Sequence, residues 1–175
     1  MLLKRKKKMA IIVEAPNENY SLECQVSKKL FLAGGITNCE NWQAKVIKEL
    51  KDEENLTIYN PRRKKFNITK KSIQEEQIVW EYKHLKEADL ICFWFSKETI
   101  CPITLYELGM WGNSRDHYDR MLSKRIFIGI DPEYSRKEDV IIQTILARID
   151  KENNYCYNDY INSIEELTQQ IQGVL

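Results

Sequence analysis

A chain of 175 residues with 43% hydrophobic residues is long enough to bury one sizeable core, and no Pro/Gly/Ser-rich linker divides it. Its 27 Lys and Arg against 26 Asp and Glu leave no global field to gather nucleic acid or an anionic membrane, and no apolar run reaches membrane-spanning length. Five cysteines without a C-x-x-C pair, and two histidines that share no ligand spacing with them, speak against a disulfide framework, a zinc site and a Ser-His-Asp triad. The expectation is a cytoplasmic protein with no metal and no cofactor. The opening MLLKRKKK lacks the apolar core of a secretory signal and reads as a solvated basic tail.

Ala10 to Glu14 is a short β-like run, and APNENYSLECQVSKK after it is polar and patternless. Residues 1–28 are therefore read as tail, β run and loop, ahead of a single domain over 29–175. Lys29 to Ala33, KLFLA, is the first firm strand. It runs into Gly34-Gly35, and a helix follows in which Trp42, Val46 and Leu50 recur at four-residue spacing, with Ile47 widening the stripe. Thr37 and Glu40 fit a capping box for that helix. A strand entering a glycine turn that opens a helix lets backbone N–H groups meet a sugar hydroxyl or a phosphate, although neither G-x-G-x-x-G nor G-K-[ST] is present.

Leu56 to Tyr59 is a second strand, closed by Asn60-Pro61-Arg62-Arg63. The two guanidinium groups either clamp an anion or are surface charge. Ser72 to Glu87 is the next helix, with a capping box from Ser72 to Glu75 and an apolar stripe of Ile78, Tyr82 and Leu85. Glu81 borders the stripe and reaches toward the sheet's edge. Trp80 points away from Ile78, as an outward aromatic that fits a partner surface or a ligand wall.

The stretch ADLICFWFSKETICPITLYELGMW, Ala88 to Trp111, reads as strand, loop and helix. Leu90 to Phe95 has the continuous apolar character of a strand buried on both faces. The run from Thr99 to Ser114 carries one charge, Glu107, and Pro102 suits the start of a helix. Glu107 then lies one or two turns inside that helix, above the carboxyl edge of the sheet, where open α/β folds bind ligands. The position fits a nucleophile or an acid. The same residue also closes a T-x-x-E capping box with Thr104. Gly109 beside it points to close packing against the helix backbone.

Arg125 to Ile130 is a further strand, followed by the turn Asp131-Pro132-Glu133-Tyr134. Val140, Ile141, Thr144, Ile145 and Ala147 outline another helix, and a short β run at Tyr155 to Tyr157 precedes a terminal helix from about Ile161. The alternation predicts an α/β, flavodoxin-like (Rossmannoid) open parallel sheet of about five strands, with helices on both faces and a short N-terminal β extension.

Taken together, FLAGGI at Phe31 to Ile36, NPRR at Asn60 to Arg63, the W-E-x3-L-x2-A-D run from Trp80 to Asp89 and PITLYELG at Pro102 to Gly109 resemble the nucleoside 2-deoxyribosyltransferase-like family. The resemblance covers Leu30 to about Leu167. It implies cleavage or exchange of the N-glycosidic bond of 2′-deoxynucleosides or their 5′-monophosphates. Glu107 matches the nucleophile that forms a deoxyribosyl-enzyme intermediate, and Glu81 matches the acidic residue that acts around the base. Gly34 and Gly35 match the turn lining the sugar site. With Ile36, Arg62, Arg63 and Trp94 they form the candidate substrate-binding set. The partners implied are a nucleoside or nucleotide, a free nucleobase as acceptor, and further copies of the chain in a homo-oligomer. One departure is the loop before Glu107, which reads Cys101-Pro102-Ile103 where family members place an Asp and a Gly. The alternative is a nucleotide-binding or sensing module of the same fold without turnover.

Overall fold

Residues 9–64, 70–112, 124–152 and 160–175 are described by a computed structural model of the chain, the side chains of 148–152 excepted. The basic opening and the β run expected at Tyr155 to Tyr157 lie outside the described residues. The elements in order are β1 (Ile11–Glu14), α1 (Leu22–Val26), β2 (Lys28–Gly34), α2 (Trp42–Leu50), β3 (Leu56–Asn60), α3 (Lys71–Glu87), β4 (Leu90–Phe95), α4 (Pro102–Trp111), β5 (Arg125–Ile130), α5 (Lys137–Glu152) and α6 (Ile164–Gln172).

The five strands form one parallel sheet in the order β1-β3-β2-β4-β5. With β1 set aside, the remaining strands follow the second-first-third-fourth order of a flavodoxin-like sheet, as the sequence predicts. β1 extends the edge beyond β3. At the other edge Ile161 makes a single parallel bridge to Gly129. No helix among the described residues is long and apolar enough to cross a membrane.

Strand alternation divides the core into two layers. Leu30, Leu32, Cys92 and Trp94 face Trp42, Val46 and Leu50 of α2 and Leu167 and Ile171 of α6. Phe31, Ala33, Ile91, Phe93 and Phe95 face α3, α5 and the inner side of α4. The stripe expected on α2 is thus the one buried. Gly34 makes this layer possible, because a Cβ there would lie 2.5 Å from Trp42 Cζ2 and 2.6 Å from the Trp94 carbonyl oxygen.

Five local expectations are corrected. On α3, Ile78 and Tyr82 are exposed, and the buried face is Gln77, Trp80, His84 and Leu85. Trp80 does not point outward: it stacks on His84 at 4.0 Å, meets Phe31 at 6.2 Å and donates its indole N–H to the Asn17 carbonyl at 2.8 Å. Every polar atom on that face finds a partner inside the protein, which is why a polar-looking face can be the buried one. The capping boxes at Thr37, Ser72 and Thr104 do not form. Asn41 caps α2, while Lys70 and Cys101 stand at the N-caps of α3 and α4 without a side-chain cap bond. The supposedly patternless segment carries α1, capped by Ser21. Gly109 faces open space, with nothing within 4 Å of where its Cβ would be.

Candidate functional site

Two turns leave the carboxyl ends of the central strands in opposite directions. β2 ends at Gly34, and the next carbonyl, that of Gly35, accepts from Trp42 Nε1 at 3.0 Å, Gln43 Nε2 at 3.3 Å and Arg62 Nη2 at 3.3 Å. Three donors on one oxygen hold the β2–α2 turn. On the other side, β4 passes into a loop that ends at Cys101, whose backbone is left-handed at φ 49°. Pro102 follows at the start of α4, and the Cys101 carbonyl accepts from Leu105 N at 3.0 Å. The crevice between such diverging crossovers is where open α/β sheets hold ligands.

A cavity of about 330 Å³ occupies this crevice. Its walls bring together six residues singled out from sequence: Gly34, Gly35, Ile36, Arg63, Glu81 and Glu107. Phe31, Ala33 and Pro61 form its apolar floor, and Thr99, Cys101 and Thr104 add polar atoms from the β4–α4 side.

Two candidates are placed elsewhere. Trp94 lies on the opposite face of the sheet, its ring over Gly129, because it alternates with Phe93 and Phe95 along β4. Arg62 folds back beneath the β2–α2 turn. It donates to Gln43 Oε1 at 2.9 Å, the Glu40 carbonyl at 3.0 Å and Cys39 Sγ at 3.5 Å, so it braces the turn.

Glu107 reaches the cavity from α4 and makes no hydrogen bond to another described residue. Burial, with the charge of Glu81 added, pushes its carboxyl up to about 8. The Glu81 carboxyl is raised by burial too, but a hydrogen bond from Gln77 and the field of Arg63 pull it back. Of the two carboxyls only Glu81 has a hydrogen-bond donor and a nearby guanidinium favouring its anion, so Glu107 is the one that holds a proton more readily.

Gln77 was not foreseen from the sequence. It sits one helical turn before Glu81 and gives its amide N–H groups to Glu81 Oε1 at 2.8 Å and to the Pro61 carbonyl at 2.8 Å. Its own oxygen accepts from Arg63 Nε, and Arg63 Nη1 reaches Glu76 at 2.7 Å. The only signal in the sequence was its i−4 spacing from an already suspected carboxylate.

The chain of contacts Glu76, Arg63, Gln77 and Glu81 thus fixes one carboxylate while leaving Glu107 as a second, proton-bearing one. Such a pair, set in different surroundings within one cavity, suits acid–base and nucleophilic work on a small polar molecule. No curated protein matches the chain. Residues 27–118, just over half of the chain, match the model of the family described as nucleoside 2-deoxyribosyltransferase like, a span from the foot of β2 to beyond α4 that contains both carboxylates. The chain therefore belongs to the nucleoside 2-deoxyribosyltransferase-like family.

Proposed function

We propose that the chain breaks the N-glycosidic bond of 2′-deoxynucleosides, with Glu107 capturing the deoxyribosyl group and a second base or water releasing it. What carries this reading is the pair of unlike carboxyls, Glu107 and Glu81, in one cavity at the sheet's switch point. Near neutral pH the pair holds one proton. It must leave Glu107 before that oxygen can bond to the anomeric carbon, and Glu81 is the neighbouring carboxylate that can take it. The Glu107 oxygen then attacks C1′, the C1′–N bond breaks with its electrons on the base, and Glu81 passes the proton to the departing nitrogen. Positive charge building on the anomeric carbon is met by the same Glu107 carboxylate. Return of a second base gives transfer, and entry of water gives hydrolysis.

The two arginines favour a free nucleoside over its 5′-monophosphate. Arg62 is committed to the β2–α2 turn, and Arg63 to Glu76 and Gln77. Incubation of the protein with a deoxynucleoside or its 5′-monophosphate and a free base, followed by chromatography, tests both points. A new nucleoside or released base is expected, formed faster from the nucleoside. Absence of product from either substrate would remove the enzymatic reading, and faster reaction of the monophosphate would remove the substrate preference.

We further propose a homo-oligomer of units built on residues 29–175, working in a reducing cytoplasm. α4 is apolar nearly all round, and Tyr106 and Met110 on its outer side and Ile103 at the cavity's rim are exposed, as are Ile78 and Tyr82 on α3. The Tyr82 and Trp111 rings meet at 5.8 Å and join the two helices. A surface this apolar, next to the cavity, fits a second copy. Light scattering at micromolar concentration should give a multiple of the chain mass, reduced to one chain in Tyr106→Lys. A monomeric wild type with full activity would sink this proposal.

A further inference from the structure

We propose that Cys39 and Cys101 form a reversible disulfide beside the cavity, giving the two turns that frame it a redox-sensitive staple. A Cβ at Gly35 would lie 3.1 Å from Cys39 Sγ and 3.1 Å from Cys101 Sγ, so the two sulfurs are at most twice that distance apart. One rotamer change at a thiol carries its sulfur about 3 Å, enough to bring such a pair toward bonding distance without moving the strands. Glycine at 35 leaves that space free of a side chain of its own. A larger residue there would stand between the sulfurs.

The two thiols are unlike their neighbours and unlike each other. Cys92 is buried within β4, where burial pushes its thiol up, and Cys24 is buried on the inner side of α1. Cys39 is partly exposed on the β2–α2 turn, with Arg62 Nη2 at 3.5 Å from its sulfur. That places a positive charge against the sulfur best placed to meet an oxidant. Cys101 is buried, and burial raises its thiol, partly offset by the N–H groups of Ser96 and Gly35. It is the inner, resolving partner.

With hydrogen peroxide as oxidant, the Cys39 sulfur attacks one oxygen, the O–O bond breaks, and the thiol proton leaves with the second oxygen as water. Cys101 sulfur then attacks the resulting sulfenic acid. The S–S bond forms, the S–O bond breaks, and the hydroxyl departs with the Cys101 proton as a second water. Two thiols lose two electrons, peroxide gains them, and a dithiol reductant reverses the change. The bond would tie the β2–α2 turn to the residue that precedes Pro102, and so fix the cavity wall against the start of α4. Any effect on turnover rests on the function proposed above; the bond itself does not.

The test uses the full chain carrying Cys156→Ser, since Cys156 lies outside the described residues. The protein is treated with a few equivalents of hydrogen peroxide, then digested without reduction and mapped by mass spectrometry. The expected result is the loss of two titratable thiols, a linked pair of peptides containing positions 39 and 101, and a melting temperature several degrees higher. Dithiothreitol should restore the starting values. Cys39→Ser and Cys101→Ser, each first shown to melt normally in reductant, should both abolish the linked pair and the rise. Retention of both thiols, a bond between chains, or a bond mapped to Cys24 or Cys92 would overturn the proposal.

Discussion

Glu107→Gln is expected to lose base release and exchange by at least about 10³-fold while melting higher than the wild type at alkaline pH. The amide keeps the shape of the side chain but cannot form the ester with the anomeric carbon. The stability effect follows from the raised carboxyl. In the folded protein Glu107 holds its proton to about 8, whereas in the unfolded chain it loses it near the ordinary 4.5. Between those values the folded state binds the extra proton, so the contribution of this residue to stability falls as pH rises, and the full penalty is present above about 8. Gln has no proton to lose. Full burial would make the cost about 1.4 kcal/mol for each pH unit of the gap, and the opening to the cavity reduces it, so a gain of about 2 kcal/mol is expected above pH 8. For a chain of this size that is roughly 4–8 °C. Melting curves of both proteins at pH 5 and pH 9 check it: near-coincidence at pH 5 and a higher-melting variant at pH 9. A variant that melts lower at pH 9 would mean that the ionised Glu107 carboxylate is held by stabilising contacts, and unchanged turnover would end its assignment as nucleophile.

How far the sequence goes toward this picture depends on what kind of signal each residue carries. β4 and β5 are found at their expected bounds because a run that is apolar on both faces leaves little choice of position or phase. Glu107 stands out as the one charge in an apolar helix, and it is also the residue that α4 contributes as a carboxyl to the cavity wall. The face of α3 was not legible. Its buried side is held by a tryptophan, a histidine and a glutamine whose polar atoms all find partners, while Ile78, Val79 and Tyr82 lie exposed. An apolar-stripe rule picks the wrong side of such a helix. Adjacent arginines were equally opaque, since only the tertiary fold turns Arg62 beneath one turn and Arg63 toward the other side of the crevice. Trp94 shows the same limit in a strand: when both faces are buried, nothing in the pattern marks which face borders a cavity. Capping boxes are short patterns with no tertiary content, and at all three sites another residue took the N-cap.

Glu81→Gln is expected to change the shape of the pH profile as well as its height. In the proposed mechanism the pair carries one proton, so kcat/KM should fall on the acid side as Glu81 takes up a second one. It should fall again above about 8, where Glu107 gives up the proton destined for the base. Replacing Glu81 removes the acid and, with it, the negative charge that helps raise Glu107. The Glu107 carboxyl should then titrate below its wild-type value, since burial alone remains to lift it. In the variant Glu107 only has to be ionised, so the profile should rise with pH to a plateau and lose its alkaline fall. The loss of the general acid should lower the plateau by about 10²–10⁴-fold for a natural base. A deoxyriboside whose leaving group departs as a stable anion needs no proton, and should keep most of its wild-type rate. Measuring kcat/KM from pH 5 to 9.5 for both substrates in both proteins separates this from a purely structural role of Glu81. If the two substrates lose rate equally and the alkaline fall persists, Glu81 does not carry the proton, and its bond to Gln77 serves only to hold α3 against the β3 end.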